Sequence, residues 1–323
     1  MFAHPQRAEL MELTPCNLCG SDRYHVLYAD MPDLLLQRPS VHSTLVRCDT
    51  CGLVYQNPRP TLSEMAQHYP PEYEPYSASP PTAQIRRLQD LASRYGVEKR
   101  CHFITARKPR GRLLDLGCST GVFLLGMRSH PGWELYGVDI NAQVAAAARR
   151  NGLDVFAGTV EEARYPDKYF DAITLWDVLE HLHDPSGTLR ELHRILKPDG
   201  LLLIRVPNLS SRSARIFGPY WAGLDQPRHL FVFSPTTLRA LLDKAGFLWR
   251  EGTTGSGAYP TFLLSVDFWA RARWPGRRGT AATMRFLRGA LMRAVTVPIF
   301  YLDSLYQRGP LLVVLASKRE PRT

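Results

Sequence analysis

The sequence has no long hydrophobic runs. Among its 323 residues, no apolar stretch reaches the roughly 18 residues that a membrane-spanning helix needs. The N-terminal region also lacks the continuous apolar core of a signal peptide, because acids such as Glu9 and Glu12 interrupt it. We therefore expect a cytoplasmic protein with reduced thiols.

Acidic residues are fewer than basic ones. The chain holds 30 Asp and Glu against 40 Lys and Arg, which gives a formal net charge of +10. Such a surplus points to nucleic acid, an anionic membrane surface or a phosphorylated substrate as a partner. Nucleic acid is the weakest of these interpretations, since no recognised RNA- or DNA-binding module accompanies the charge.

The basic surplus is densest in residues 268–306, which contain no acid before Asp303. Aromatic residues alternate with arginines there, and the stretch is predicted to be amphipathic. It is suited to peripheral contact with an anionic membrane, at its inner face, or to clamping the diphosphate of a nucleotide-sugar or polyprenyl-linked substrate. A dimer-forming or core-covering pair of helices with a solvated basic face is an equally weighted alternative.

Cysteine is scarce, but its spacing is informative. Four of the six cysteines form two C-x-x-C-G pairs, Cys16 with Cys19 and Cys48 with Cys51. Two such turns supply the four thiolates of a tetrahedral structural zinc site, with no coordination position left for catalysis. The alternative, a disulfide, does not suit a reducing compartment. We predict a zinc-ribbon-like module over residues 1–60.

The sequence lacks the G-x-G-x-x-G pattern of dinucleotide-binding proteins. It has instead Asp115-x-Gly117-x-x-x-Gly121 after an apolar run, and a second apolar run that ends in Asp139. This layout places a nucleoside-like ligand across the carboxyl ends of two parallel strands, with the second acid on the ribose hydroxyls. A carboxylate at position 115 repels a pyrophosphate and suits a ligand that carries an ammonium group.

These motifs resemble those of the class I S-adenosylmethionine-dependent methyltransferases. Two further segments support the resemblance, Phe170–Leu182 and the turn Leu196–Leu201. It implies an α/β fold, a doubly wound Rossmann-like seven-stranded sheet, with S-adenosylmethionine as cofactor. The residues then expected to bind the cofactor are Asp115, Gly117, Cys118, Gly121, Asp139, Ile140, Thr159, Val160 and Trp176. The expected boundaries beyond the zinc module are a linker region at 61–108, the core at 109–255, the basic insertion at 256–308 and the last strand and tail at 309–323.

The zinc module before such a core is similar to the N-terminal region of sugar C-methyltransferases. Their H-E-H-F-S-Y-F-S segment is matched in part by residues 227–234, where Pro227 replaces the first histidine and His229 falls on the second. We take His229 and His181 as the candidate catalytic bases, with a structural role as the alternative for each.

The expected function is methyl transfer to a small-molecule acceptor, with a sugar or glycolipid precursor favoured. The alternatives are O-methylation of a quinone- or lipid-like acceptor at the membrane, a non-catalytic binding module with the same fold, and RNA methylation.

Overall fold

The computed structural model describes residues 11–70, 95–255, 257–274 and 289–319. Its core is a seven-stranded sheet built from β6 (Gly111–Leu116), β7 (Trp133–Asp139), β8 (Asp154–Ala157), β9 (Phe170–Trp176), β10 (Leu196–Pro207), β12 (Phe247–Thr253) and β13 (Leu311–Lys318). The strands lie in the order β12-β13-β10-β9-β6-β7-β8. The expected fold class is confirmed.

Five of the strands form the doubly wound half of the sheet. The neighbours from β8 to β10 are parallel, and β13 pairs antiparallel to both β10 and β12. The central strands are buried on both faces, which explains their continuous apolar sequences. Because β6, β7 and β9 run in the same direction, their carboxyl ends place Leu116, Asp139 and Trp176 along one edge.

Helices cover both faces of this sheet. Before β6, residues 95–105 form α2. After β6, the glycine turn leads into α3. The bounds of the other core helices are α3 Val122–Met127, α4 Ala142–Arg150, α5 Pro185–Ile195, α6 Arg212–Phe217 and α7 Pro235–Lys244. Within the linker region predicted at 61–108, residues 71–94 lie outside the described residues.

The N-terminal module is joined to the core by a shared sheet. It contains β1 (Met11–Glu12), β2 (Tyr24–Asp33), β3 (Arg38–Cys48), β4 (Val54–Gln56), β5 (Arg59–Pro60) and α1 (Leu62–Met65). A two-residue core strand, β11 (Phe231–Val232), pairs antiparallel with β4 and completes a four-stranded sheet. The segment carrying His229 is thus fixed against the module. The module boundary at residue 60 stays a prediction.

Two helices are described between β12 and β13. They are α8 (Ala258–Arg273) and α9 (Ala290–Leu305), and they contact each other through Phe262 and Phe300, whose ring centroids are 5.8 Å apart. In the described part of the chain, neither these helices nor any other is both long and apolar enough to cross a bilayer. Four of the arginines noted above, at 277, 278, 285 and 288, lie outside the described residues.

Candidate functional site

The glycine turn after β6 is held in shape by the protein itself. Gly117 and Gly121 have φ of 69° and 81°, conformations that L side chains rarely adopt. A Cβ at Gly117 would lie 2.4 Å from Cγ2 of Val178, and one at Gly121 would lie 2.1 Å from Cδ1 of Leu153. Sequence reasoning assigned these glycines to ligand approach alone; the structure adds that each one also admits a neighbouring core side chain.

Asp139 lies at the end of β7 and faces this turn. Its Oδ2 accepts a hydrogen bond from the backbone N–H of Ser119 at 2.8 Å, and its Oδ1 accepts one from Asn141 at 2.9 Å. Burial raises the pKa of this carboxyl, and the two N–H donors oppose the shift. Each oxygen retains acceptor capacity for one more donor, which is what a ribose diol offers.

Asp115 is buried one strand away. Its Oδ1 accepts a hydrogen bond from the hydroxyl of Thr174 at 2.6 Å. Burial raises the pKa of Asp115 to about 7, and the nearby guanidinium of Arg100 in α2 acts in the opposite direction. A carboxyl poised in this way ionises readily when a ligand brings a positive charge.

The remaining predicted cofactor residues surround the same edge. Cys118 and Val160 are buried, Thr159 is half-buried, and Ile140 is exposed beside Asp139. Trp176 packs edge-on against Phe123, and its buried Nε1 has no hydrogen-bond partner within the described segments. An unpaired buried donor of this kind is typical of a wall that a ligand completes. The assignment of these residues to the cofactor stays a prediction.

The four predicted zinc ligands come together as one cluster. The Sγ atoms of Cys16, Cys19, Cys48 and Cys51 all lie within 4.8 Å of one another. Gly20 and Gly52 adopt positive φ and close the two turns through N–H bonds to the carbonyls of Cys16 and Cys48. Four thiol sulfurs this close together, presented by two tight turns, fit the tetrahedral donor set of zinc.

The two predicted bases also meet, although they come from distant segments. His181 follows β9 in a 3₁₀ turn (Leu179–His181), and His229 lies in the loop before β11; their ring centroids are 4.6 Å apart. Burial lowers the pKa of His181 to about 3 and also lowers the pKa of His229. Both imidazoles are therefore neutral at physiological pH.

Sequence reasoning missed two residues at this point. Glu180 is fully buried, and burial raises the pKa of its carboxyl well above the usual range. The Tyr69 hydroxyl lies 2.8 Å from Nδ1 of His181. The sequence does carry a signal for Glu180, since an acid directly precedes His181. Tyr69 belongs to a tyrosine-rich stretch that is equally suited to a lid or to packing, so its sequence does not indicate this contact.

A buried ion-pair network connects this pair of histidines to the N-terminal module. The guanidinium of Arg228 donates to both carboxylate oxygens of Asp33, at 2.8 and 2.9 Å, and to Asp225 at 2.7 Å. Asp225 in turn lies 4.0 Å from Nε2 of His229. The arginine before His229 is therefore the main link between the module and the site.

Comparison with known proteins assigns the core to a family. A family model described as "Methyltransferase domain" matches residues 61–250, which is more than half of the chain. The chain belongs to this family of methyltransferase domains, and the family implies S-adenosylmethionine as the cofactor. The residues present fit this cofactor. Each carboxylate oxygen of Asp139 can accept one more hydrogen bond, and the indole N–H of Trp176 has no acceptor among the described residues.

Curated relatives match the methyltransferase over part of their length. The ubiquinone biosynthesis O-methyltransferase of Alkalilimnicola ehrlichii is 32% identical over 109 residues, 32% of this chain and 44% of that protein. The protein of the same name from Hahella chejuensis is 28% identical over 152 residues, 41% of this chain and 63% of that protein. The chain spans about half the length of the curated relatives it matches.

Solved structures are similar to the methyltransferase in outline. A putative sarcosine dimethylglycine methyltransferase from Galdieria sulphuraria has a TM-score of 0.48 at 16% identity, covering 73% of this chain and 88% of that one. A possible histamine N-methyltransferase from Thermotoga maritima has a TM-score of 0.45 at 20% identity, covering 71% and 92%. These likenesses do not bear on the acceptor.

Proposed function

We propose that this methyltransferase methylates a hydroxyl group of a small acceptor carried on a lipid, such as a glycolipid precursor, at a membrane surface. The observation that carries the proposal is the outer face of α9. Seven large apolar side chains there are between 42% and 67% exposed: Val295, Val297, Ile299, Tyr301, Leu302, Leu305 and Tyr306.

The distribution of residues on α9 is the reverse of that in an ordinary surface helix. Its buried residues include the polar Thr296 and Asp303, and its apolar residues face outward. The carboxylate of Asp303 is paired with Arg212 at 2.7 Å, so it does not oppose contact with an anionic surface. A large exposed apolar patch on a strongly basic protein fits a membrane interface.

The neighbouring helix connects this face to the histidine pair. Phe268 of α8 lines a cleft together with Leu34 and Leu35 from the tip of the β2–β3 hairpin. The same cleft is lined by Asp225, the residue that lies 4.0 Å from His229. The cleft has a volume of only about 10 Å³, room for no more than one water, so it supports the proposal only by placing α8 and the hairpin tip beside Asp225.

The chemistry follows from the residues at the inner end. S-adenosylmethionine supplies, when bound, a methyl group on a positively charged sulfur. Neutral His181 and His229 lie beside Val178, which packs on the glycine turn at Gly117. In this proposal the two side chains lie against the acceptor hydroxyl and orient its oxygen for attack on the methyl carbon. Positioning of donor and acceptor supplies much of the acceleration.

We also propose that the four cysteines hold a structural zinc ion. The cluster is compact, and a module of this size buries little apolar surface of its own, so the metal contributes to its folding. Purified protein is expected to carry zinc bound to the cysteine cluster, and Cys16→Ser is expected to lose zinc and lower the unfolding temperature. Protein without zinc, with an unfolding temperature that Cys16→Ser does not change, would contradict this.

The test of function is transfer of labelled methyl from S-adenosylmethionine into a lipid extract presented as anionic vesicles. Label should enter the organic phase, and Val297→Glu should reduce both vesicle binding and transfer. The matched control is Leu62→Glu, because Leu62 is equally exposed at 60% but lies on α1. Label that enters only water-soluble acceptors, unaffected by vesicles, would overturn the proposal.

A quinone-like acceptor is the second candidate. It is supported by the partly matching relatives, which are ubiquinone biosynthesis O-methyltransferases. Polyprenyl catechols added to the same vesicles distinguish the glycolipid from the quinone-like acceptor. If the acceptor is quinone-like, the catechols should be methylated faster than a glycolipid fraction.

A further inference from the structure

Glu180 is a buried carboxyl group that the protein does not satisfy. It has no exposed surface, and neither of its two side-chain oxygens has a hydrogen-bond partner among the residues described. Burying such a group without a partner is strongly unfavourable, because its hydrogen bonds with water are lost and nothing replaces them. Native proteins leave few polar groups in this condition, and those they leave usually meet a ligand, an ion or water.

The nearby guanidinium groups are engaged with other acids. Arg205 pairs with Asp177, with Nε 2.9 Å from Oδ1. Arg228 donates to Asp33 and to Asp225. Neither arginine makes a hydrogen bond to Glu180 in the described structure.

Both histidines point a ligand-capable nitrogen toward the same place. A ligand atom of Glu180, His181 and His229 lies within 4.8 Å of a ligand atom of each of the other two. Nδ1 of His181 lies 3.1 Å from the carbonyl oxygen of Arg228, and Nδ1 of His229 lies 3.0 Å from that of Gly223. Because a carbonyl only accepts, these contacts favour N–H at Nδ1 and leave the lone pair on Nε2, as in metal-binding histidines. The Tyr69 hydroxyl, 2.8 Å from Nδ1 of His181, then accepts from the same N–H.

The fold fixes the three residues in one position relative to the cofactor turn. The backbone N–H of Leu230 donates to the carbonyl of Glu180 at 2.8 Å, which holds the His229 loop against the turn that follows β9. In the same turn, Val178 occupies the space that a Cβ of Gly117 would fill. The cluster therefore lies next to the predicted binding site of the methyl donor.

We propose that Glu180, His181 and His229 bind a divalent transition-metal cation that activates the acceptor hydroxyl. Two imidazoles and one carboxylate are the donor set that Mn²⁺, Fe²⁺, Co²⁺ or Zn²⁺ accepts with positions left open, whereas Mg²⁺ and Ca²⁺ prefer oxygen ligands alone. The cation satisfies the orphaned carboxylate, and it is distinct from the zinc of the cysteine cluster.

The catalytic part of this proposal rests on the proposed function. A hydroxyl oxygen bound to the cation gives up its proton to solvent water more easily, as metal-bound water does. The oxygen then forms a bond to the methyl carbon, and the carbon–sulfur bond breaks with its electron pair remaining on sulfur. The products are the methyl ether, S-adenosylhomocysteine and one released proton, so atoms and charges balance.

Metal binding is measured without any acceptor, on full-length protein whose cysteine cluster is loaded with zinc. Mn²⁺ is titrated and the free ion is followed by electron paramagnetic resonance; Co²⁺ and Zn²⁺ binding are counted by elemental analysis after gel filtration. We expect one additional equivalent of at least one of these ions. Glu180→Gln, which keeps the shape of the side chain, should weaken its binding by about tenfold or more, since even outer-shell partners of a metal site contribute that much.

The matched control is Glu251→Gln, because Glu251 is an exposed acid on β12 that pairs with Arg107 and lies outside the cluster. It should bind the additional ion as the wild type does, and binding of S-adenosylhomocysteine by Glu180→Gln shows that the variant is folded. No ion beyond the cysteine-bound zinc, or an additional ion retained by Glu180→Gln, would overturn the proposal.

The transfer assay separates this inference from the proposed function. Methyl transfer to lipid that survives removal of the additional ion by a chelator would reject the metal while leaving the acceptor class intact. An additional ion lost in Glu180→Gln, without any transfer to lipid, would keep the metal site and reject the acceptor class.

Discussion

The two ends of the site differ in how far the protein completes them. At the cofactor end, Asp139 already receives two backbone N–H bonds, and Gly117 and Gly121 are fixed by contacts with Val178 and Leu153. At the proposed acceptor end, Glu180 is buried without a hydrogen-bond partner among the described residues, and α9 exposes its apolar side chains. The first end is preorganised by backbone geometry, and the second depends on what binds there.

Arg228 offers the strongest way to break this contrast, because it holds the acceptor end to the module. Replacing it with Met leaves Asp225 and part of the Asp33 carboxylate buried without their partner. We expect a loss of about 3–5 kcal/mol in the free energy of unfolding, the usual cost of breaking a buried ion pair from one side. Urea denaturation measures it.

The double variant Arg228→Met with Asp33→Asn is the control for charge. It should recover part of the lost stability, since it removes a buried carboxylate that would otherwise be paired with Arg38 alone. An Arg228→Met protein as stable as the wild type would show that the network contributes little and that other contacts hold the module, such as the β4–β11 pairing and the bonds of Asn17 to Asp184 and Ser186.

Asp139→Asn tests the preorganised end. The substitution removes the charge that strengthens the bonds from Ser119 and Asn141 and the proposed bonds to ribose. A hydrogen bond to a charged group contributes about 1.5–3 kcal/mol, so S-adenosylhomocysteine should bind about 10- to 100-fold more weakly by calorimetry.

Asp154→Asn is the matched control, since Asp154 is exposed at the start of β8 and makes none of these contacts. Unchanged affinity in Asp139→Asn would remove this residue from the cofactor site, and equal weakening in both variants would indicate a general effect of charge.

The cofactor end was also the part most accessible from sequence. The strands of the core and the acid at 139 were predicted because apolar runs bounded by glycine and acids determine local structure directly. The cysteine cluster was predicted for the same reason, since each C-x-x-C-G turn is a local unit. Local spacing can also mislead: Thr61 and Glu64 are spaced as in a capping box, yet the Thr61 side chain makes no capping bond.

The acceptor end was predicted only in part, because its arrangement depends on contacts between distant segments. His181 and His229 were named, but nothing in their local sequences indicated that they lie 4.6 Å apart between ring centroids. The strand that brings them together, Phe231–Val232, has two residues and no periodicity to detect. Glu180 has a local signal, but its lack of a partner is visible only in three dimensions.

The pKa of Asp115 predicts a pH dependence at the cofactor end. Burial raises it from 3.8 in the unfolded chain to about 7, so the protonated form stabilises the fold at low pH and this contribution is lost as pH rises towards 7. A ligand ammonium requires the ionised form. We therefore expect affinity for S-adenosylhomocysteine to increase between pH 5.5 and 7, by up to about tenfold per pH unit.

Calorimetry in buffers of different ionisation enthalpy checks this by counting protons released on binding. Asp115→Asn should bind more weakly at pH 7 and lose the pH dependence. A flat profile in the wild type would place Asp115 away from the ammonium group.

The smallest effect is expected at Asn141, which lies beside Asp139 at the cofactor end. Its side chain caps α4 by accepting a hydrogen bond from the N–H of Gln143 at 2.9 Å. Its own backbone N–H donates to the carboxylate of Asp139. Asn141→Ala should therefore cost about 1 kcal/mol of stability, as the loss of a helix cap does, yet leave S-adenosylhomocysteine affinity nearly unchanged. Denaturation and calorimetry on the same preparation give both values. A large fall in affinity would mean that the side chain, and not the backbone, holds Asp139 in place, and the cofactor end would then be no more preorganised than the acceptor end.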